Sequence, residues 1–141
     1  MRTHIRRFKL SDTFIEHYRD REVPWGPLGY VTFKRTYARR LNEFEEGATG
    51  SEEWFQTCRR VIEGMFEMQK QHVYKLGLEW NDAKSQKTAK DAYDRLFNLK
   101  WTPPGRGLWM MGTKFVNERT AAGLFNCAFR STRELNTKGG Y

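Results

Sequence analysis

The chain has 141 residues, a net charge of +8 and 15% aromatic residues, which allows one hydrophobic core and excludes a disordered basic tail, since such tails lack apolar area to offset chain entropy. No run approaches the ~20 apolar residues of a membrane span, and basic Met1–Leu10 has no apolar stretch behind it, so neither a spanning helix nor a secretory signal is expected. The two cysteines, Cys58 and Cys127, form neither a disulfide framework nor a CxxC metal motif, so a reducing, cytoplasmic setting is expected.

Ser11 reads as a helix N-cap with Asp12 in the first turn and Leu10 and Ile15 as a hydrophobic staple. That helix is predicted to reach about Arg21 and to present Phe14, Ile15 and Tyr18. Pro24 to Gly29 holds two prolines and two glycines and is expected to break regular structure. Phe33, Tyr37 and Leu41 then repeat at helical spacing, with Arg35, Arg39 and Arg40 off that face. Those arginines form either a solvated side or a nucleic-acid contact.

Glu43 to Gly50 reads as an acidic, glycine-containing connector. Ser51 is expected to cap the longest helix, with Glu52 and Glu53 in its first turn. Its apolar stripe runs through Trp54, Phe55, Cys58, Val61, Ile62, Met65, Phe66, Val73 and Leu76 and stops at Gly77. Cys58 lies on that stripe and reads as a buried structural thiol, and His72 as a surface or packing residue. Asn81–Lys90 is polar and expected to loop into a helix marked by Ala89, Ala92, Tyr93, Leu96 and Phe97, with Trp101 packing at its end. Thr102 to Gly107 should stop that helix.

The last third changes character. Leu108–Met111 is a short apolar run, Gly112-Thr113 a turn, and Leu124–Phe129 has strand-like composition. Lys100–Tyr141 carries seven Lys and Arg against two acidic residues, +5 of the total +8. That excess serves either solubility or an anionic partner, such as nucleic acid or nucleotide phosphates. His4, His17 and His72 do not assemble into a catalytic triad or a metal set with the cysteines, and Gly105-Arg106-Gly107 lacks phosphate-loop spacing. From the residues alone Cys127 is either a buried inert thiol or a thiolate favoured by Arg119 and Arg130.

The run from Pro24 to Arg39 (PWGPLGYVTFKRTYAR), then Ser51-Glu52-Glu53-Trp54, Arg60-Val61-Ile62-Glu63-Gly64, Gly105-Arg106-Gly107-Leu108-Trp109, Gly112-Thr113, Arg119-Thr120 and Asn126-Cys127-Ala128-Phe129 occur in one order. Together they resemble the N-terminal part of the adenosylcobalamin-dependent (class II) ribonucleotide reductases, of the monomeric ribonucleoside triphosphate reductase type. The resemblance implies an α+β fragment. Residues 1–101 would form a helical N-terminal lobe, and residues 102–141 would begin a ten-stranded α/β barrel completed by another polypeptide. It implies that Cys127 is one of the redox pair that reduces the ribose, with Asn126, Gly112 and Thr113 lining the substrate pocket. The implied cofactor is adenosylcobalamin, bound mainly outside this chain. The implied partners are a C-terminal reductase polypeptide carrying the thiyl and second redox cysteines, a ribonucleotide substrate and a thioredoxin-like reductant. A split-gene subunit, of a kind known among phages, or a processed fragment would account for the length. The alternative from another class is a small basic helical module that binds nucleic acid, and a third reading is a fragment of a class I-like reductase.

Overall fold

A computed structural model describes residues 6–119 and 121–125. Among the described residues six α-helices succeed one another: α1 (Asp12–Glu16), α2 (Pro27–Thr36), α3 (Trp54–Lys75), α4 (Asp82–Phe97), α5 (Gly105–Met110) and α6 (Lys114–Glu118). Short 3-10 turns occupy Leu41–Glu43 and Ala121–Leu124. Among the described residues there is no strand, only an isolated antiparallel bridge between Arg40 and Ser51.

α3 and α4 form an antiparallel hairpin that carries the core. The start of α3 meets the end of α4: the Trp54 indole donates to the Phe97 carbonyl at 3.0 Å, and the Tyr93 hydroxyl to the Phe55 carbonyl at 2.9 Å. The apolar stripe read from the sequence is buried from Trp54 to Phe66 except for half-buried Met65, whereas Leu76 at its far end is exposed. Gly77, at φ 70°, ends α3 in the left-handed region that glycine adopts without strain. Cys58 is fully buried, and burial pushes its thiol pKa well up. The turn after α1 closes the other side through Tyr18, whose ring lies 4.8 Å from Tyr93 and 5.0 Å from Phe97. Trp25 stacks on Phe33 at 5.4 Å and leans on Trp54 at 5.1 Å, which holds α2 to the start of α3.

Residues 6–10 run extended along α3, yet their backbone is satisfied by side chains rather than by a sheet. The Phe8 amide donates to Glu67 at 2.7 Å, the Leu10 amide to Glu63 at 2.9 Å, and the Lys70 ammonium to the Arg6 carbonyl at 2.8 Å. Alternate residues of an extended chain thus meet positions 70, 67 and 63, one face of a helix. Between them Phe8 and Leu10 turn their own side chains into the core.

Several expectations are corrected. The first helix ends at Glu16, although Ser11 does cap it, accepting from the Phe14 amide at 3.3 Å. Pro24–Gly29 breaks the chain only as far as Gly26, because Pro27 opens α2, where its missing amide costs nothing. α2 ends at Thr36, so Leu41 lies in a separate 3-10 turn. The cap of α3 is Glu53, not Ser51: Glu53 and Gln56 form a reciprocal capping box. Lys34 explains the shift, its ammonium gathering Ser51 Oγ (3.3 Å), the Glu52 carbonyl (3.0 Å) and Glu53 (2.5 Å) just before the helix. Asn81–Lys90 is helix rather than loop, capped by Asn81. Of the strand expected over Leu124–Phe129, Leu124 belongs to a 3-10 turn and residues 126–129 lie outside the described residues.

Tyr18 donates to Asp94 at 2.7 Å, and burial, followed by that carboxylate, raises its pKa to about 12 from 10.0. A raised folded-state pKa gives stability that is whole below pH 10 and lost as the pH climbs through about 12. Tyr18→Phe should therefore cost about 1 kcal/mol at neutral pH and flatten the fall in stability across that alkaline interval. Urea-unfolding midpoints measured against pH test this, and parallel curves for the two proteins would refute it.

Candidate functional site

Two of the residues expected to face substrate, Gly112 and Thr113, lie where the segment after α4 returns to α3. α4 ends at Phe97, before the stretch from Thr102 to Gly107 expected to stop it, and Pro104 instead caps the start of α5 at Gly105. Arg60, on α3, holds this segment by its backbone: its guanidinium donates to the Met111 carbonyl at 2.6 Å and to the Leu108 carbonyl at 2.8 Å. The same guanidinium makes a two-point pair with Glu52, at 2.7 and 3.0 Å. Glu52 accepts further bonds from Thr57 Oγ1 (2.8 Å) and the Arg39 amide (3.1 Å). Both side chains are buried, 3% and 6% exposed. One ion pair thereby joins α3, the chain around Arg39 and the 105–113 segment.

Gly112 has φ 76°. A β-carbon there would press into the Arg60 carbonyl, and one on Gly64 would lie 2.5 Å from the Gly112 amide nitrogen. The two backbones therefore touch through two glycines. Thr113 is buried and caps α6: its hydroxyl donates to the Met110 carbonyl at 2.8 Å and accepts from the Val116 amide at 3.5 Å. Gly112 also borders a cleft of ≈ 420 Å³ between α1 and α3. Several charges on the cleft wall are paired: Arg59 with Glu63 and with Asp12 beside it, Arg19 with Glu16, and Arg60 with Glu52. Burial raises the Glu63 pKa despite the opposing pull of Arg59. Arg39 lies over the Trp109 ring at 5.2 Å and pairs with Glu43, adding a second tie to α5.

The structure thus brings Gly112 and Thr113 together on α3. Asn126 and Cys127 lie outside the described residues. His17 and His72 are exposed, and no cluster of metal ligands occurs among the described residues. Sequence reasoning placed Glu52 in a first helical turn and missed its pairing with Arg60. The available signal was a second stripe on α3, namely Thr57, Arg60, Gly64 and Glu67 at helical spacing, all buried but not apolar.

Compared with known proteins, residues 10–113 match the family model of the ribonucleotide reductase alpha domain. The chain belongs to that family. It is 40% identical over 134 residues to a probable adenosylcobalamin-dependent ribonucleoside-triphosphate reductase of Dictyostelium discoideum, covering 93% of this chain and 17% of that protein. It is 41% identical over 133 residues to the corresponding reductase of Euglena gracilis, covering 92% of this chain and 18% of that protein. A crystal structure of a B-12 dependent (class II) ribonucleotide reductase superposes with a TM-score of 0.69 at 33% identity, over 84% of this chain and 16% of that one. The chain thus matches a small, N-terminal part of these enzymes, which are named adenosylcobalamin-dependent. The mainly helical fold described above is the fold of that region.

Two substitutions test the platform. Gly64→Ala and Gly112→Ala should each destabilise the chain by about 2 kcal/mol or more, and should free residues 105–125 to proteolysis while α3 and α4 stay protected. Limited proteolysis with hydrogen-exchange mapping reads both effects, and a uniform loss of protection would contradict a local hinge between the two glycines.

Proposed function

We propose that the chain is the N-terminal portion of a B12-dependent ribonucleotide reductase that makes deoxyribonucleotides by thiyl-radical chemistry. The observation that carries this is the family match over residues 10–113, which ends at the glycine-threonine pair keyed onto α3. Residues 1–101 serve as the helical lobe, and residues 102–141 lead into the first strand of the α/β barrel. Cys127 is one of the two redox cysteines, and Asn126, Gly112 and Thr113 border the substrate. In the reaction, a thiyl radical on a cysteine outside this chain takes the ribose 3′ hydrogen, and the 2′ hydroxyl leaves as water. Cys127 and its partner thiol supply the two reducing electrons and close to a disulfide. The 3′ hydrogen is then returned, and a thioredoxin-like dithiol reopens the disulfide by exchange.

The described residues do not build a seat for adenosylcobalamin. A corrin macrocycle needs a broad apolar wall, whereas the cleft beside Gly112 is ≈ 420 Å³ and its wall is broken by charged groups, among them Glu52, Arg59, Arg60 and Glu63. In this reading the cofactor and the radical-bearing cysteine belong to the remainder of the reductase, carried on a second polypeptide or in continuation of this one. The role of the present residues is positional. Arg60 and the Gly64–Gly112 contact fix where the chain leaves the helical lobe, and in this reading the sequence that follows carries Cys127 to the substrate. No helix among the described residues is long and apolar enough to cross a membrane, in keeping with a cytoplasmic enzyme, whether cellular or phage-encoded.

Reconstitution tests the reading. The chain, the remainder of the reductase, adenosylcobalamin, a ribonucleoside triphosphate and a thioredoxin-like reductant should together form deoxynucleotide. Cys127→Ser should lower multiple turnover by about a thousandfold, while Cys58→Ser leaves it near wild type. Equal turnover with Cys127→Ser would remove the assigned role. In the folded chain Cys58 should resist a thiol reagent that labels Cys127, and it should become reactive only on unfolding.

A further inference from the structure

A second cleft, of ≈ 390 Å³, lies between the extended N-terminal segment, α3 and the start of α4. Four cations line it, Arg6, Arg7, Lys9 and Lys70, against a single carboxylate, Asp82. Lys70 is the unusual member. It is only 7% exposed, and its ammonium has one acceptor, the Arg6 carbonyl at 2.8 Å, out of three N–H groups to satisfy. Among the described residues no carboxylate lies within ion-pair distance of it. Glu67, one turn earlier, spends its oxygens on the Phe8 amide (2.7 Å) and Gln71 (3.0 Å). Asp82 faces the Trp80 indole at 3.4 Å. Arg6 and Arg7 likewise form no ion pair among the described residues. Withdrawing a charge from water without a counter-ion is costly, so a largely buried lysine whose ammonium stands among unpaired guanidinium groups is suited to an anion.

The anion must be compact, multiply charged and rich in acceptors, which is the chemistry of linked phosphates. The cleft volume falls in the range of small-molecule sites, and Trp80, which also lines it and packs edge-on against Phe8, offers a ring beside the charges. We propose that this cleft binds a polyphosphate, free or as the tail of a nucleotide, through Arg6, Arg7, Lys9 and Lys70. The proposal rests on this cleft alone and stands or falls independently of the reductase reading.

Calorimetric titration of the full chain with inorganic triphosphate at about 0.15 M salt should show saturable one-site binding. Arg7→Gln should weaken it about tenfold, while Arg35→Gln, which removes the same charge from exposed α2, should change it by less than about twofold. Arg7 makes no hydrogen bond or ion pair among the described residues, so its loss is not expected to disturb the fold. Lys70→Met, checked by circular dichroism, should weaken binding further. ATP binding more tightly than inorganic triphosphate would locate the base beside Trp80, and equal binding would leave the phosphates as the recognised group. Absence of saturable binding at millimolar triphosphate, or equal weakening by Arg7→Gln and Arg35→Gln, would overturn the proposal.

Discussion

The pair between Glu52 and Arg60 is the constraint on which the arrangement depends. Two buried charges lose their hydration, and their mutual attraction compensates only when the remaining donors and acceptors are also used. Here they are. Glu52 receives the guanidinium twice, a threonine hydroxyl and a backbone amide, while Arg60 spends its other N–H groups on two carbonyls of the 105–113 segment. Each partner is held by the other, and three stretches of chain distant in sequence are held by both. Removing either side chain would strand a buried charge, a loss of about 3–5 kcal/mol, a large fraction of the roughly 5–15 kcal/mol that holds a domain folded.

That pairing sets a geometric condition which the glycines satisfy. For Arg60 to reach the Met111 and Leu108 carbonyls, the returning backbone must lie on α3 itself, with no side chain between. Gly64 and Gly112 remove the two β-carbons that would intervene, and Gly112 takes the positive φ that turns the chain into α6. The same economy appears at the N-terminal segment, where Glu63, Glu67 and Lys70 stand in for a neighbouring strand. α3 therefore presents three faces: apolar to α4, polar to residues 6–10, and small or charged to residues 105–113.

This three-faced helix explains what was legible in the sequence. Apolar periodicity marks the face toward α4, so the stripe from Trp54 to Phe66, the buried Cys58 and the stop at Gly77 could all be read directly. The Ser11 cap was legible because its partners are local. The faces that use Arg60, Glu67 and Lys70 were not, since a charged residue in sequence gives no sign of being buried until its distant partner is placed. The misplaced cap has the same origin: Lys34, far away in sequence, gathers Ser51, Glu52 and Glu53, and delays the helix to Trp54. Asn81–Lys90 misled for the opposite reason. α4 begins with its outer, polar turns, and its amphipathic face starts only at Ala89.

The partition of the two thiols follows from the same packing. Cys58 sits at the centre of the α3–α4 hairpin, where burial holds it as a neutral thiol and no solvent path reaches it. A thiol so placed can neither attack a disulfide nor be attacked, because exchange needs both a thiolate and access. Under the proposed function, Cys127 would pair with a sulfur that is not that of Cys58. The lobe's contribution is then mechanical. A hairpin stiffened by aromatic packing, and a return segment pinned by Arg60 and two glycines, set the point from which residue 113 leads on toward Cys127.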